Sequence, residues 1–389
     1  MYLFLIRRFP DLDHMFPIIY KMAQRGTSRI AILCQNLDYN IHNDFILDFL
    51  KKEHNIKTKY SYHIDESVLR RFLSKFLLSM RSIYPKIGVR IFNRLHRLLY
   101  GKKWAENLLD HFHPSALIMD FDKITKYSTK LLSEAAKKKQ IPFVLVTHGV
   151  TMRLSGLKRV TDLPTADYKI FPNRLKVKFY TNDNDSDQVV RVLGSPRYCD
   201  EWEKIYNGIL AEAVPHHGLP EEKGKLKVLF FERPVIGFDE NHEAVRAVRN
   251  LDFVTAAFKV RVEKKGPYHK VSGNDYPSAR LVQWADVVVM SISSIALEVL
   301  WQEKPLIYVR YLAPDDVCVF DQYRACWAVN SEAELIEALK TIHENPGYRA
   351  YDREDVERLF NDVVYAGDRS RDIMGSYVDF LLGLKEVKK

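Results

Sequence analysis

Three serines in four positions, Ser291, Ser293 and Ser294, follow the apolar run 287–290 and open a helical pattern that extends to Trp301. A strand entering such a turn points the hydroxyls and the first backbone N–H groups of the next helix out of one sheet edge, a geometry that takes phosphate. Ser293 or Ser294 also suits the N-cap position, which explains one serine but not three. Glu298 lies on the turn above, where a carboxylate accepts hydrogen bonds from a ribose; a helix-surface glutamate is the plainer reading. His148 comes directly after the strand pattern 142–147 and before Gly149, at the carboxyl edge where open α/β sheets bind ligands. An imidazole titrating near neutrality suits a general base toward a hydroxyl, and a turn histidine bonded within its own loop is the alternative. Lys259 and Arg261, at the end of another strand pattern, carry the positive charge a phosphate needs.

Carboxylates gather in three groups: Asp11 and Asp13 beside His14, Asp120 with Asp122, and Glu232 with Asp239. An inverting group transfer needs one base, whereas double displacement needs a carboxylate nucleophile, for which Asp239 is the candidate. The Asp-x-Asp spacings at 11–13 and 120–122 match a metal-binding pattern that recurs by chance, so solvated loop carboxylates and no metal are expected.

The segment 285–308, with its strand, its serine turn, Ala296-Leu297-Glu298 and Lys304-Pro305, resembles the donor-binding segment of GT-B enzymes of bacterial surface polysaccharide synthesis. That group includes CDP-glycerol glycerophosphotransferases, capsule Kdo transferases, sialyltransferases with paired serines and UDP-N-acetylglucosamine 2-epimerases. Thr147-His148-Gly149 resembles the glycerophosphotransferases' strand-plus-HG element, whose histidine is implicated in catalysis, and Gly194-Ser195-Pro196-Arg197 resembles their G-x-P-R element. Where that family continues K-P-H-x-R, this chain reads Lys259-Val260-Arg261 and lacks the histidine.

The resemblance implies an α/β chain of GT-B type, with two tandem Rossmann-like, doubly wound parallel-sheet domains facing a cleft. It places a nucleotide-activated donor on Ser291, Ser293, Ser294, Glu298, Lys259, Arg261, Ser195 and Arg197, and an acceptor near Asp11, His14 and Gly149. His148, Asp13 and Asp239 are then the catalytic candidates. The implied activity is a metal-independent glycosyltransferase that moves a sugar, Kdo-like or sialic-acid-like, to a lipid-linked or polysaccharide acceptor. The nucleotide sugar is substrate and no cofactor is implied. A glycerophosphotransferase and a nucleotide-sugar 2-epimerase are the rivals.

The elements that must position these residues alternate as short apolar strands and longer helices, the mark of a doubly wound parallel sheet. Strand patterns fall at 2–6, 29–34, 57–62, 116–119, 142–147, 167–171 and 189–193, with a loop at 10–13 and a helix at 14–24. A segment rich in Pro, Gly and charge, 214–225, reads as the linker between domains at 1–213 and 226–389. In the second half, strands at 226–231, 253–259, 287–290 and 305–309 alternate with helices, and the last helix, 371–382, is free to pack back on the first domain.

At 389 residues and 47% hydrophobic, the chain can bury two cores. It contains neither GxGxxG after a strand nor GxxxxGK[ST], against a dinucleotide oxidoreductase or a P-loop enzyme. Its four cysteines, Cys34, Cys199, Cys318 and Cys326, have no CxxC spacing and read as buried thiols. The net charge of +9 is local: between Val68 and Trp104 there are ten Lys or Arg and no acid, and without them the rest sums to −1. There Leu69, Phe72, Leu73, Phe76, Leu77 and Met80 share a helix face opposite Arg70, Arg71 and Lys75, and a second such pattern sets Arg90, Arg94 and Arg97 against Ile91, Phe92, Leu95, Leu98 and Leu99. These helices suit an anionic membrane surface, with a packed domain face as the alternative. No nucleic-acid motif accompanies the charge. The expected location is cytoplasmic, peripheral on the inner face of the cell membrane.

Overall fold

The computed structural model describes residues 1–26, 29–36, 39–61, 100–120, 127–147, 149–155, 166–175, 177, 189–214, 219–232, 238–260 and 276–384, with backbone alone at Tyr127, Glu232, 238–242 and Val260. The basic residues Arg70, Arg71, Lys75, Arg90, Arg94 and Arg97 lie outside the described residues, as do His148 and Arg261. Among the described residues, no helix is long and apolar enough to cross a membrane.

The described residues form two compact units. The first takes 1–149, 166–197 and 371–384, and the second takes 150–155 and 198–370. Residues 198–213, read from sequence with the N-terminal half, belong to the second unit. Their helix is tied there by Trp301 Nε1 to Asp200 Oδ1 at 3.1 Å and by Arg280 Nε to the Val214 carbonyl at 2.6 Å. Residues 150–155 join the same unit through an antiparallel bridge between Arg153 and Cys318, with Leu154 N donating to Val317 O at 2.8 Å.

The first unit holds a seven-stranded parallel sheet: β1 Tyr2–Ile6, β2 Ile30–Cys34, β3 Thr58–Tyr60, β4 Ala116–Asp120, β5 Phe143–Val146, β6 Tyr168–Phe171 and β7 Val190–Val192, in the order β3-β2-β1-β4-β5-β6-β7. Strands β1, β4 and β5 are buried at every position, as continuous apolar runs covered on both faces must be. Helices α1 Phe9–Gln24, α2 Phe45–His54, α3 Lys102–Phe112 and α4 Tyr127–Lys138 connect the first five strands. Leu3, Leu5, Leu33, Leu117, Met119 and Leu145 share one core with Trp104, Leu108, Leu132 and Ala136.

The loop expected at 10–13 is helix instead: α1 begins at Phe9, with Pro10 in its first turn and Asp11 following. Proline is tolerated there because the N–H it lacks would have no intrahelical acceptor. Helix α2 is held by Asp44, whose Oδ1 accepts from the backbone of Ile46 and Leu47, both at 3.0 Å.

The second unit carries a five-stranded parallel sheet: β8 Leu226–Glu232, β9 Val254–Val260, β10 Val287–Met290, β11 Leu306–Val309 and β12 Trp327–Val329, in the order β12-β11-β10-β8-β9. Around it lie α5 Asp200–Ala213, α6 Phe238–Arg249, α7 Ser278–Trp284, α8 Ala296–Trp301, α9 Val319–Gln322, α10 Glu332–Glu344 and α11 Arg353–Val363. Its core joins Val228, Phe230, Val287, Val289 and Ile307 to Val248, Leu335 and Leu339. The final helix, α12 Ile373–Gly383, belongs to the first unit. There Tyr2 Oη donates to Leu381 O at 3.1 Å and Tyr377 Oη to Gly194 O at 3.0 Å.

Both sheets reverse direction of growth once. In the first, the chain moves outward from β1 to β3 and returns to lay β4 beside β1; in the second it goes from β8 to β9 and returns to lay β10 beside β8. The carboxyl ends of β1/β4 and β8/β10 are therefore the switch points where open α/β sheets leave a ligand crevice.

Candidate functional site

In the second unit, Met290 pairs with Phe231 of β8, so Ser291 emerges at the switch point one step past the strand. Ser291 is buried, and Ser293 and Ser294 are half-buried. The turn is closed by Ala296 N to Ser293 O at 3.3 Å and Leu297 N to Ser294 O at 3.1 Å, while Ile295 N reaches Ser293 Oγ at 3.4 Å. Tyr198 Oη donates to Ser294 Oγ at 3.2 Å. Because that bond uses a lone pair of the Ser294 oxygen, its own hydroxyl proton stays available to donate. Tyr198 was not singled out by sequence, since its partner lies 96 residues away.

Glu298 is wholly covered, and its Oε1 accepts from Gln302 Nε2 at 3.2 Å on the same helix. The ribose contact expected of it thus starts from a side chain with no exposed surface, because α8 turns that face toward the interior. Lys259 sits at the end of β9, opposite Phe231, which in turn is opposite Met290. Two strand spacings put its backbone about 10 Å from the start of the serine turn. Its ammonium donates to the Tyr276 carbonyl. Asp239 falls in the first turn of α6, and its side chain is outside the described residues.

The first unit builds a polar corner at its own switch point. Arg7 directly follows β1 and is buried; its Nε and backbone N meet Asp11 Oδ2 at 2.8 and 3.0 Å, and its Nη2 meets Asp120 Oδ2 at 3.1 Å. Arg8 Nε adds a bond to Asp11 Oδ1 at 3.2 Å. The first carboxylate of each Asp-x-Asp spacing, expected as a solvated loop group, is therefore buried and paired with Arg7, Asp11 with Arg8 as well. A charge pair in such surroundings holds only when both partners remain. Arg7 and Asp11 stand at i and i+4, a spacing legible in sequence; Asp120 is 113 residues from Arg7.

Arg197, grouped by sequence with the donor residues, lies in the first unit, where its Nε donates to Asp13 Oδ2 at 2.9 Å. It is 2% exposed, so this charge-assisted bond is made out of water. The structure thus joins Asp13 to Arg197. Ser195 is buried in the turn after β7, whose Gly194 takes a φ of 94° that favours glycine. His14 is half-buried within α1, and Gly149 takes a φ of 57°.

All four cysteines are free and buried. Burial pushes the thiols of Cys34 and Cys199 up to about 12, and those of Cys318 and Cys326 up as well, so none is a ready nucleophile. Burial likewise holds the Asp44 carboxyl above its ordinary range.

No protein-family model matches the sequence, and neither does any curated protein. Solved structures do match along the whole chain. A UDP-GlcNAc 2-epimerase from Neisseria meningitidis, bound to UDP-GlcNAc, is 13% identical, with all of both chains covered and a TM-score of 0.55. Another UDP-N-acetylglucosamine 2-epimerase is 11% identical, with 100% of this chain and 97% of that one covered and a TM-score of 0.56. The wall teichoic acid polymerase TagF, soaked with CDPG, is 12% identical over 100% of this chain and 90% of its own, at a TM-score of 0.55. Such likeness at low identity concerns architecture, and with two all-parallel sheets of seven and five strands it makes this chain a GT-B fold protein.

Proposed function

We propose that the chain is a GT-B glycosyltransferase that takes a nucleotide-activated sugar on the serine turn of its second unit and transfers the sugar to an acceptor. The observation that carries this reading is the emergence of Ser291, Ser293 and Ser294 at the switch point between β8 and β10, with Ser294 held by Tyr198. Helix α8 has six residues, so the hydroxyls and turn amides, more than a macrodipole, meet the leaving phosphate. Lys259 and Arg261 add charge there without a metal. In the transfer, an acceptor hydroxyl oxygen forms a bond to the anomeric carbon as the bond from that carbon to the phosphate oxygen breaks. His148 takes the hydroxyl proton, and the nucleotide leaves carrying the electron pair. Asp13 and Asp239 are the alternative carboxylates for base and nucleophile. The basic stretch 68–104 is proposed to hold the chain against an anionic inner membrane face where lipid-linked acceptors reside, with a Kdo-like or sialic-acid-like sugar on a CMP donor as the leading substrate.

The test is thermal shift against CMP, CDP, UDP and GDP. One of them should raise the melting temperature, and Ser293→Ala with Ser294→Ala should abolish the rise in a protein that still melts cooperatively. Retained stabilisation in the double variant removes the serine turn from the reading.

A second reading is favoured by the whole-chain likeness to proteins named UDP-GlcNAc 2-epimerases. An epimerase needs no acceptor, so NMR of UDP-GlcNAc incubated with the protein alone would show a new epimer. Mass-detected transfer of glycerol phosphate instead of a sugar would establish the glycerophosphotransferase, the reading to which the likeness to TagF leans.

A further inference from the structure

Beside Arg7, the carboxyl edge of the first sheet carries polar groups that nothing above has used. Ile6 is opposite Cys34, and Cys34 is opposite Tyr60, so Arg7, Gln35 and Ser61 form a row one step past three adjacent parallel strands. They are 4%, 7% and 0% exposed. Arg7 is engaged by Asp11 and Asp120. The Gln35 backbone N–H donates to Ile6 O at 2.8 Å, but among the described residues its side-chain Nε2 and Oε1 are buried without a hydrogen-bond partner, as is Ser61 Oγ. Asp13 Oδ1, near the start of α1, is buried and likewise has no partner among the described residues, while Arg197 takes the other oxygen.

The surrounding polar groups are engaged. Tyr60 Oη donates to Tyr39 O at 2.8 Å, Tyr39 bonds Asp44, and Asp44 caps α2. Buried polar atoms in folded proteins almost always have partners, so an unspent amide, hydroxyl and carboxylate oxygen along one sheet edge call for a group from outside the chain.

We propose that this row binds an uncharged, hydroxyl-rich ligand, a neutral sugar of the acceptor, with Gln35, Ser61 and Asp13 as its recognition residues. A carboxamide presents one donor and one acceptor side by side, the complement of two neighbouring hydroxyls; a serine hydroxyl both gives and accepts, and Asp13 Oδ1 accepts. The guanidiniums of Arg7, Arg8 and Arg197 at this edge are already paired with the carboxylates of Asp11, Asp120 and Asp13, so a carboxylated or phosphorylated sugar would have to compete with these ion pairs, whereas a neutral one would not. The word acceptor rests on the transferase reading; the binding of a neutral sugar does not.

The experiment titrates the full chain with methyl glucoside, methyl N-acetylglucosaminide and methyl glucuronide, followed by saturation-transfer NMR and calorimetry. A neutral glycoside should bind in preference to the glucuronide. Gln35→Leu and Ser61→Ala should each weaken it about tenfold, the scale of one lost hydrogen bond to an unreplaced partner. The thermal shift by nucleotides should be unchanged in both. If Gln35→Leu does not melt cooperatively, Ser61→Ala, which removes one oxygen, decides alone. Failure of the wild type to bind any glycoside, equal affinity in the variants, preference for glucuronide, or loss of the nucleotide shift with Gln35→Leu would each overturn the proposal. Glycoside binding that depends on Gln35 in a protein that no nucleotide stabilises would instead defeat the transferase reading and leave the sugar row standing.

Discussion

At the scale of residues, the arginine after the first strand is the most consequential side chain that no functional argument requires. Arg7 is the shared partner of Asp11 and Asp120, with all three nearly or wholly out of water. Removing one member of such a set strands the others, and Arg7→Met is expected to lower unfolding free energy by about 3–5 kcal/mol, measured by urea denaturation. A loss under about 1 kcal/mol would mean the carboxylates find water or another cation. The thiols give a second expectation at this scale. With Cys34, Cys199, Cys318 and Cys326 buried and pushed up by that burial, iodoacetamide at mildly alkaline pH should leave the native protein unlabelled by mass, and label four sites in guanidinium. Sequence made the serines of the 291–294 turn legible because their spacing is local. It could not show that Arg197 faces Asp13, or that Glu298 is covered, since both facts depend on partners the chain reaches only by folding.

At the scale of elements, strand positions were readable because every buried parallel strand is a short apolar run bounded by turn residues; Val287–Met290 is found as expected. The three-residue β12 and the helix starting at Phe9 were missed, the first for shortness and the second because Pro10 and Asp11 read as loop chemistry when they belong to a helix's first turn. Helix starts carry two expectations. Asp44 caps α2, yet burial raises its carboxyl, so folding favours its protonated form. That contribution is fully present below the ordinary carboxylate value of about 3.9 and is lost as pH rises through the raised value in the fold. Asp44→Asn keeps a capping side chain and removes the titration, so its melting temperature relative to the parent should climb as pH rises above the ordinary carboxylate value of about 3.9. A flat difference would show that the carboxylate is stabilised as an anion. In α12, a Cβ at Gly375 would overlap the Asp372 carboxylate and lie 2.7 Å from Arg25 Nη2. Gly375→Ala should displace the Asp372 carboxylate from its cap bond to residue 375 and so cost about 0.5–2 kcal/mol, offset in part by alanine's better helix propensity, read from the shift in melting temperature.

At the scale of the whole molecule, sequence anticipated two sheets of one kind, while the chain's path between the units was not legible. Residues 150–155 and the helix at 200–213 side with the second sheet through bonds to Val317 and Trp301, whereas α12 sides with the first. A domain boundary drawn at a Pro- and Gly-rich stretch cannot foresee such returns. Removing 371–389 strips Ile373, Met374, Tyr377, Val378 and Leu381 from burial against the first unit. At about 1.5–3 kcal/mol for each apolar side chain, that is of the order of a domain's entire stability. The shortened chain should therefore bind a hydrophobic dye and lose cooperative melting of the first unit, and a soluble, sharply melting product would contradict the packing described. The same return of α12 sets a schedule for birth on the ribosome. Tyr2 and the α1 surface emerge well before α12 and must wait for it, an interval of tens of seconds at about 5–20 residues per second. During that wait the second unit can finish while the first keeps an unsealed apolar face, so nascent chains should lean on a chaperone through the α1 surface.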